Sequence, residues 1–297
     1  MTPKTLTRRE FLKTSASAAM AGALFLGAPG SRPAFGSDKT RVVLVRDESA
    51  VDELNQPDID VLSDMLDRAV TRLTGADNAD AAWKQLFAPN DVVGVKSNGW
   101  RYLRTPEGLE AAIEARLAGA GVNPENISVD DQGIRANPVF KKSTALVNIR
   151  PMRTHHWAGV GSLLKNYIMF VDQPSDYHPD SCADLAKIWS LPNVAGKTRL
   201  NILLMLTPLF HGVGPHHFNP AYVWRYNGLL AGFDPVAVDA TGVRILTAKR
   251  LQHFGEERPL NPPPKHIFLA DTRHHLGTAD PDRIELVRLG WEKDVLI

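Results

Sequence analysis

One cysteine, Cys182, is all the thiol this 297-residue chain has. Alone it makes no internal disulfide, no thiolate zinc site and no iron–sulfur cluster, so stability must come from an apolar core. An excess of charge of either sign is missing too, with 34 Lys and Arg against 33 Asp and Glu. A chain so balanced lacks the basic field that holds a nucleic-acid backbone, and no nucleic acid is expected as a partner. The weakly apolar stretch from Ala16 to Ala28 is shorter than the roughly 20 residues a helix needs to span a bilayer. No stable membrane anchor is expected from it. G-x-S-x-G, H-E-x-x-H and C-x-x-C are absent, which sets aside the usual serine hydrolases, zincins and redox dithiols. Neither a Walker loop nor a G-x-G-x-x-G fingerprint is found, so nothing supports a dinucleotide cofactor.

What is present begins with an address. Thr7-Arg8-Arg9-Glu10-Phe11-Leu12-Lys13 is followed by the Ala/Gly-rich stretch and by small residues ending Ala34-Phe35-Gly36. Residues 1–36 read as a twin-arginine export signal, whose partner is the twin-arginine translocase and whose destination is periplasmic or extracellular. Cleavage after Gly36 removes five basic residues and one acid, leaving a net charge of −3. That route carries folded proteins, which tilts the expectation toward a cofactor inserted before export.

The remaining 37–297 reads as a single α/β domain. β-Branched runs recur at Arg41–Arg46, Val92–Lys96, Asn126–Asp130, Ala145–Ile149, Leu200–Leu206, Leu229–Phe233 and His266–Ala270, each bounded by polar or Gly/Pro signals. Between them lie segments of helical spacing: Ile59 to Leu73, Glu107 to Ala118, and Pro235 to about Phe254. This alternation predicts a mostly parallel sheet with helices on both faces. Residues 174–220, dense in Pro, Gly and His, read as an insertion or lid, with a short helix near Cys182–Trp189.

In such a sheet ligands gather outside the carboxyl ends of the strands. The residues there are Asp47 and Glu48, Lys96 and Asn98, Asp130 and Asp131, Arg153 with His155 and His156, Thr207 and His211, Asp234, and Asp271. Some need no functional explanation: Asp234-Pro235 is an N-cap followed by Pro at the first helical position. Asp130-Asp131 places two like charges side by side, which calls for a cation or donors between them. The densest signal is Arg153-Thr-His155-His156-Trp-Ala-Gly159-Val-Gly161-Ser-Leu-Leu-Lys165-Asn166. Its glycines admit backbone N–H groups to an anion, a helix start adds positive potential, and Arg153 and Lys165 add charge. Alternatively the glycines serve close packing and the histidines a satisfied loop. His211, His216 and His217 crowd one Gly/Pro loop without matching any standard zinc spacing. Cys182 reads as a small buried apolar residue.

Three stretches resemble the proteins grouped as domain of unknown function 362. They are Asp91-Val-Val-Gly-Val-Lys96-Ser-Asn98, the Thr154–Asn166 block, and Asp234-Pro-Val-Ala-Val-Asp239-Ala240. Arg153 stands where the family often has lysine, Gly161 where threonine is common, and Leu204 where an acid is frequent. The ferredoxin-type cysteine domain of many relatives is absent, which excludes electron transfer by that route. The resemblance sharpens the residue list without implying a reaction.

The expectation is thus a metal- or cofactor-dependent enzyme acting on a small anionic substrate at the strand ends. In it His155, His156 and Lys165 carry the chemistry. Lys96, Asn98, Arg153, Gly159, Gly161 and Asn166 hold the ligand or cofactor, and Asp131, His211, Asp234 and Asp239 hold a divalent metal. The rival is a non-catalytic ligand-binding or cofactor-maturation protein serving another exported enzyme.

Overall fold

The computed structural model describes residues 39–297 apart from 213, 215 and 216. The export segment 1–36 and His216 lie outside the described residues.

Eight strands form one sheet: β1 (Thr40–Arg46), β2 (Val93–Lys96), β3 (Ile127–Asp130), β4 (Ala145–His155), β5 (Gly159–Gly161), β6 (Thr198–Leu209), β7 (Gly228–Gly232) and β8 (Ile284–Gly290). Their order is β3-β2-β4-β6-β7-β1-β8, with β5 paired to the end of β4. The β3/β2, β2/β4, β4/β6 and β1/β8 pairs are parallel, while β7 runs antiparallel to both neighbours. Alternation along the strands sorts side chains to two cores. Val43, Val45, Val95, Val147, Ile149 and Ile202 face one way, toward α1 (Ile59–Thr74), α2 (Ala79–Leu86) and α3 (Glu107–Gly119). Val42, Leu44, Leu146, Met152, Leu203 and Leu230 face the other. To that second core belong α4 (Pro138–Lys142), α5 (Leu163–Asn166), α6 (Pro235–Phe254) and α7 (Lys265–Thr272). Burial on both faces is what the near-continuous apolar runs required.

Helix limits follow local chemistry. Asp58 caps α1 through the Val61 N–H at 3.1 Å, and Asp234 caps α6 through Val236 and Ala237, with Gly255 in the left-handed region closing it.

Three readings are corrected. His266–Ala270 is not a strand: it lies inside α7, started by the turn at Pro263 and Pro264 and burying His266, Ile267 and Ala270 on one side. The parallel partner of β1 is instead β8. Residues 174–220 are not all peripheral either, because β6 runs through them between β4 and β7 at the centre of the sheet. The short helix expected near Cys182–Trp189 is a 3-10 turn at Leu185–Ser190.

Candidate functional site

β4 is the spine of the site. It is buried over its whole length, and Asn148 and Arg150, two residues apart, project to the same side. The chain then turns and returns as β5, pairing Arg153 with Gly161 and His155 with Gly159. Gly159 takes φ +74°, and a Cβ there would lie 2.3 Å from the Pro262 carbonyl oxygen. At Gly161 a Cβ would come within 2.7 Å of Arg150 Nη2. These glycines make room for the protein's own backbone and guanidinium.

The start of α5 is filled as well. Ser162 Oγ donates to Asp239 at 2.7 Å, and the Leu163 and Leu164 N–H groups donate to the same carboxylate at 2.9 Å each. The helix terminus that the sequence offered to an outside anion therefore holds an internal one. Burial raises Asp239 to about 6 even though these donors favour its ionised form.

Beside it a polar ladder crosses the sheet. Lys96 Nζ donates to Asp131 Oδ1 and to the Ser97 carbonyl, both at 2.6 Å, and reaches Asn166 Oδ1 at 3.4 Å. Asn166 Nδ2 donates to Asn148 Oδ1 at 2.9 Å and to the carbonyls of Lys96 and Ile149. Asn148 passes on to Asn201, and Asn201 to the Phe233 carbonyl. Lys96 is fully buried. Burial brings its ammonium down to about 8, with Asp131 opposing the fall. Asp131 is held below the usual carboxylate range by Lys96 and by the Gly99 N–H, against the opposing effect of burial.

The other cations have no such partner. Arg153 donates to Asn98 Oδ1 at 3.0 Å and lies 4.4 Å over the Trp100 ring. Arg150 donates weakly to the Ser162 carbonyl at 3.4 Å. Both are buried, each has an Nε without a hydrogen-bond partner, and neither pairs with a carboxylate among the described residues. Lys165 is 4% exposed. Burial takes its ammonium down to about 8, Arg150 depressing it further while Cys182 opposes. Around it stand neutral imidazoles. His178 is lowered to about 4 by desolvation and then by Lys165 and His156. His266 is lowered to about 3 by burial, then by Lys165 and Arg150. His155 is pushed far below its ordinary range, first by burial and then by Arg150 and Lys165. The Trp157 N–H donates to His155 Nδ1 at 3.2 Å, so the ring proton sits on Nε2 and His155 presents a neutral donor.

The fold thus assembles Lys96, Asn98, Asp131, Arg153, His155, Lys165 and Asn166, with Asp239 behind α5. His156 stacks on His155 at 4.8 Å between ring centres and meets Trp157 at a tilt at 4.0 Å, and Trp157 stacks on His178 at 3.8 Å. Two predicted residues are engaged elsewhere. Because β7 is antiparallel, its end at Gly232 pairs with Val42 and Asn201 near the starts of β1 and β6. Asp234 therefore follows the opposite rim, where it caps α6 and also accepts the Thr278 N–H at 2.9 Å. His211 Nδ1 meets Arg250 at 3.1 Å and packs against Tyr222 and Phe254. The four residues expected to hold a metal, Asp131, His211, Asp234 and Asp239, are each tied to a different protein partner. Among the described residues no group of three or more His, Cys, Asp or Glu is placed to hold a metal ion. Three residues of the cluster escaped the sequence reading: Arg150, hidden inside an apolar run, His178, and His266, read as strand.

Fold and cluster together define an α/β protein with a buried, cation-rich polar cluster toward the carboxyl rim of a mostly parallel sheet. The family model described as Domain of unknown function (DUF362) matches residues 95–244, and the chain belongs to that family. That range contains every member of the cluster named above except His266. No curated protein and no solved structure matches the chain.

Proposed function

We propose that this protein is an enzyme that binds a small anion, a carboxylate or phosphate compound, against Arg150, Arg153 and Lys165 at the end of β4. One observation carries the reading: among the described residues these three buried cations form no ion pair with a carboxylate, Asp131 attracting both arginines and Asp239 attracting Arg150 only from beyond ion-pair distance, whereas Lys96 holds Asp131 at 2.6 Å. A buried charge left unpaired is costly, and an anionic ligand is the arrangement that removes the cost. Proton exchange is supported by Lys165, since an amine near pH 8 can give or take a proton close to neutrality, while the imidazoles around it stay neutral there and can offer hydrogen bonds without charging. The donors expected for a metal do not converge, so no metal-dependent step is included. We also propose that residues 1–36 direct export through the twin-arginine translocase, on the strength of Arg8-Arg9 and the small-residue stretch after them.

Isothermal titration with sulfate, phosphate and pyruvate tests the reading. Binding of at least one is expected, with Arg150→Met and Arg153→Met each weakening it about 30-fold or more, the loss of about 2 kcal/mol from one charged hydrogen-bonding group. Absence of binding, or binding indifferent to both substitutions, overturns it.

A further inference from the structure

The two lysines of the site differ in a way that bears on chemistry. Lys96 is pinned as an ammonium by a carboxylate, a carbonyl and an amide oxygen. Lys165 has no hydrogen bond or ion pair among the described residues, although 96% of its surface is covered, its exposure being 4%. Its electrostatic neighbours are the Arg150 guanidinium, the Cys182 thiol and the rings of His155, His178 and His266. No carboxylate holds its proton. The short helix that carries it is fixed at its start by Asp239 and at its end by Asn166, so the amine is held on a rigid support. His266 is fully buried, with both ring nitrogens lacking a hydrogen-bond partner. The stack of Trp157, 44% exposed, on His178 brings the edge of this cluster to the surface.

We propose that Lys165 is an imine-forming amine and that the ligand class is the small 2-oxo carboxylates, the carboxylate resting on Arg150 and Arg153 while the amine captures the adjacent carbonyl. This rests on the anion-binding reading above and narrows it. Guanidinium pairs recognise carboxylates by their planar donors, and a desolvated lysine beside another cation is the usual form of an activated amine. In the step, neutral Nζ adds to the carbonyl carbon and a C–N bond forms. Both amine protons end on the carbonyl oxygen, which leaves as water as the C=N bond forms. A neutral imidazole can relay those protons, accepting at one nitrogen and donating from the other, and His266 and His178 are available for it. No oxidant or reductant is consumed.

The test is reductive trapping on the full-length chain: incubation with pyruvate and cyanoborohydride, followed by intact-mass and peptide analysis. One adduct is expected, on the peptide bearing Lys165, lost in Lys165→Arg and suppressed in the wild-type chain by excess sulfate. That suppression needs no variant and so stands even if Lys165→Arg folds poorly. Acetone, which lacks the carboxylate, is expected to leave no adduct at this position. Sulfate and pyruvate binding without a Lys165 adduct overturns the imine and leaves the anion site standing. Loss of binding together with the adduct overturns both. Labelling by acetone as strong as by pyruvate, or labelling scattered over surface lysines, overturns the ligand class.

Discussion

The Asp239 carboxylate accepts a hydrogen bond from Ser162 Oγ at 2.7 Å and so joins the N-terminal part of the sheet-covering helix α6 to the residue that precedes the short helix carrying Lys165. Through this contact the most buried acid among the described residues helps position the Lys165 amine. Asp239→Ala leaves two backbone N–H groups and a hydroxyl without an acceptor in a dry environment. The expected loss is on the order of 3 kcal/mol, read from denaturant unfolding. The folded carboxyl sits at about 6 against an ordinary 3.8, so between these values the folded chain binds a proton that the unfolded chain has released. Its contribution to stability therefore falls as pH rises through that window, and Asp239→Asn is expected to flatten this slope. An unchanged slope in the variant contradicts the assignment.

The ion pair of Lys96 with Asp131 makes a separate prediction. Asp131→Asn strands a fully buried ammonium, and a loss of about 2 to 3 kcal/mol is expected at pH 7, with Lys96→Met/Asp131→Asn recovering part of it. Lys96 lies near 8 when folded against 10.5 when free. From 8 to 10.5 the unfolded chain binds the extra proton, so this group's contribution rises with pH. The deficit of Asp131→Asn is expected to be smaller at pH 9 than at pH 7, because the amine it leaves behind is by then largely neutral. Equal deficits at both pH values would rule out Lys96 as the group responsible.

Much of the architecture was legible because parallel strands buried on both faces must be apolar and β-branched. Val42–Val45 shows that pattern fully, and Leu200–Leu206 shows the apolar part of it, broken by Asn201. His266-Ile-Phe-Leu-Ala270 misled for a physical reason: four apolar residues after a histidine fit a buried strand or one helical turn equally well, and only packing against α6 decides. That error concealed His266. Asp234 misled differently. Its helix cap was readable, but the rim on which it falls depends on the antiparallel sense of β7, which is set by pairing with β1 and β6 and leaves no local trace. The Thr154–Asn166 block was recognised as a centre, yet its glycines and helix start turned out to serve internal contacts with Pro262, Arg150 and Asp239. Arg150 was overlooked because the apolar run Ala145–Ile149 stops one residue before it, whereas the strand continues to His155.

Export is testable on the sequence alone. Arg8→Lys/Arg9→Lys is expected to retain the full-length chain in the cytoplasm, whereas the wild-type chain is expected outside it, shortened near Gly36. Fractionation with N-terminal sequencing reads both. Equal export of the double variant points to the general secretory route instead.

The last prediction concerns protons taken up with the ligand. Lys165 lies near 8, lowered by burial and by Arg150, with His155, His178 and His266 as its other ionisable neighbours and Cys182 opposing. An anion bound beside it favours the charged amine and raises that value. Sulfate carries no titrating proton in this range, so its binding near pH 8 is expected to draw protons from solution, and little at pH 6, where Lys165 is already charged. Titration calorimetry in buffers of different ionisation enthalpy measures the uptake. Above pH 8 the unbound amine is neutral and affinity is expected to decline. Lys165→Met should abolish the uptake near pH 8 and, by removing a nearby positive charge, raise His178 from about 4 toward 6.5 in an NMR titration. The rise is expected to be partial, because desolvation is the larger cause of the depression and remains. Uptake that survives in Lys165→Met would place the responsive group elsewhere in the cluster, with Lys96, also near 8, the first to examine.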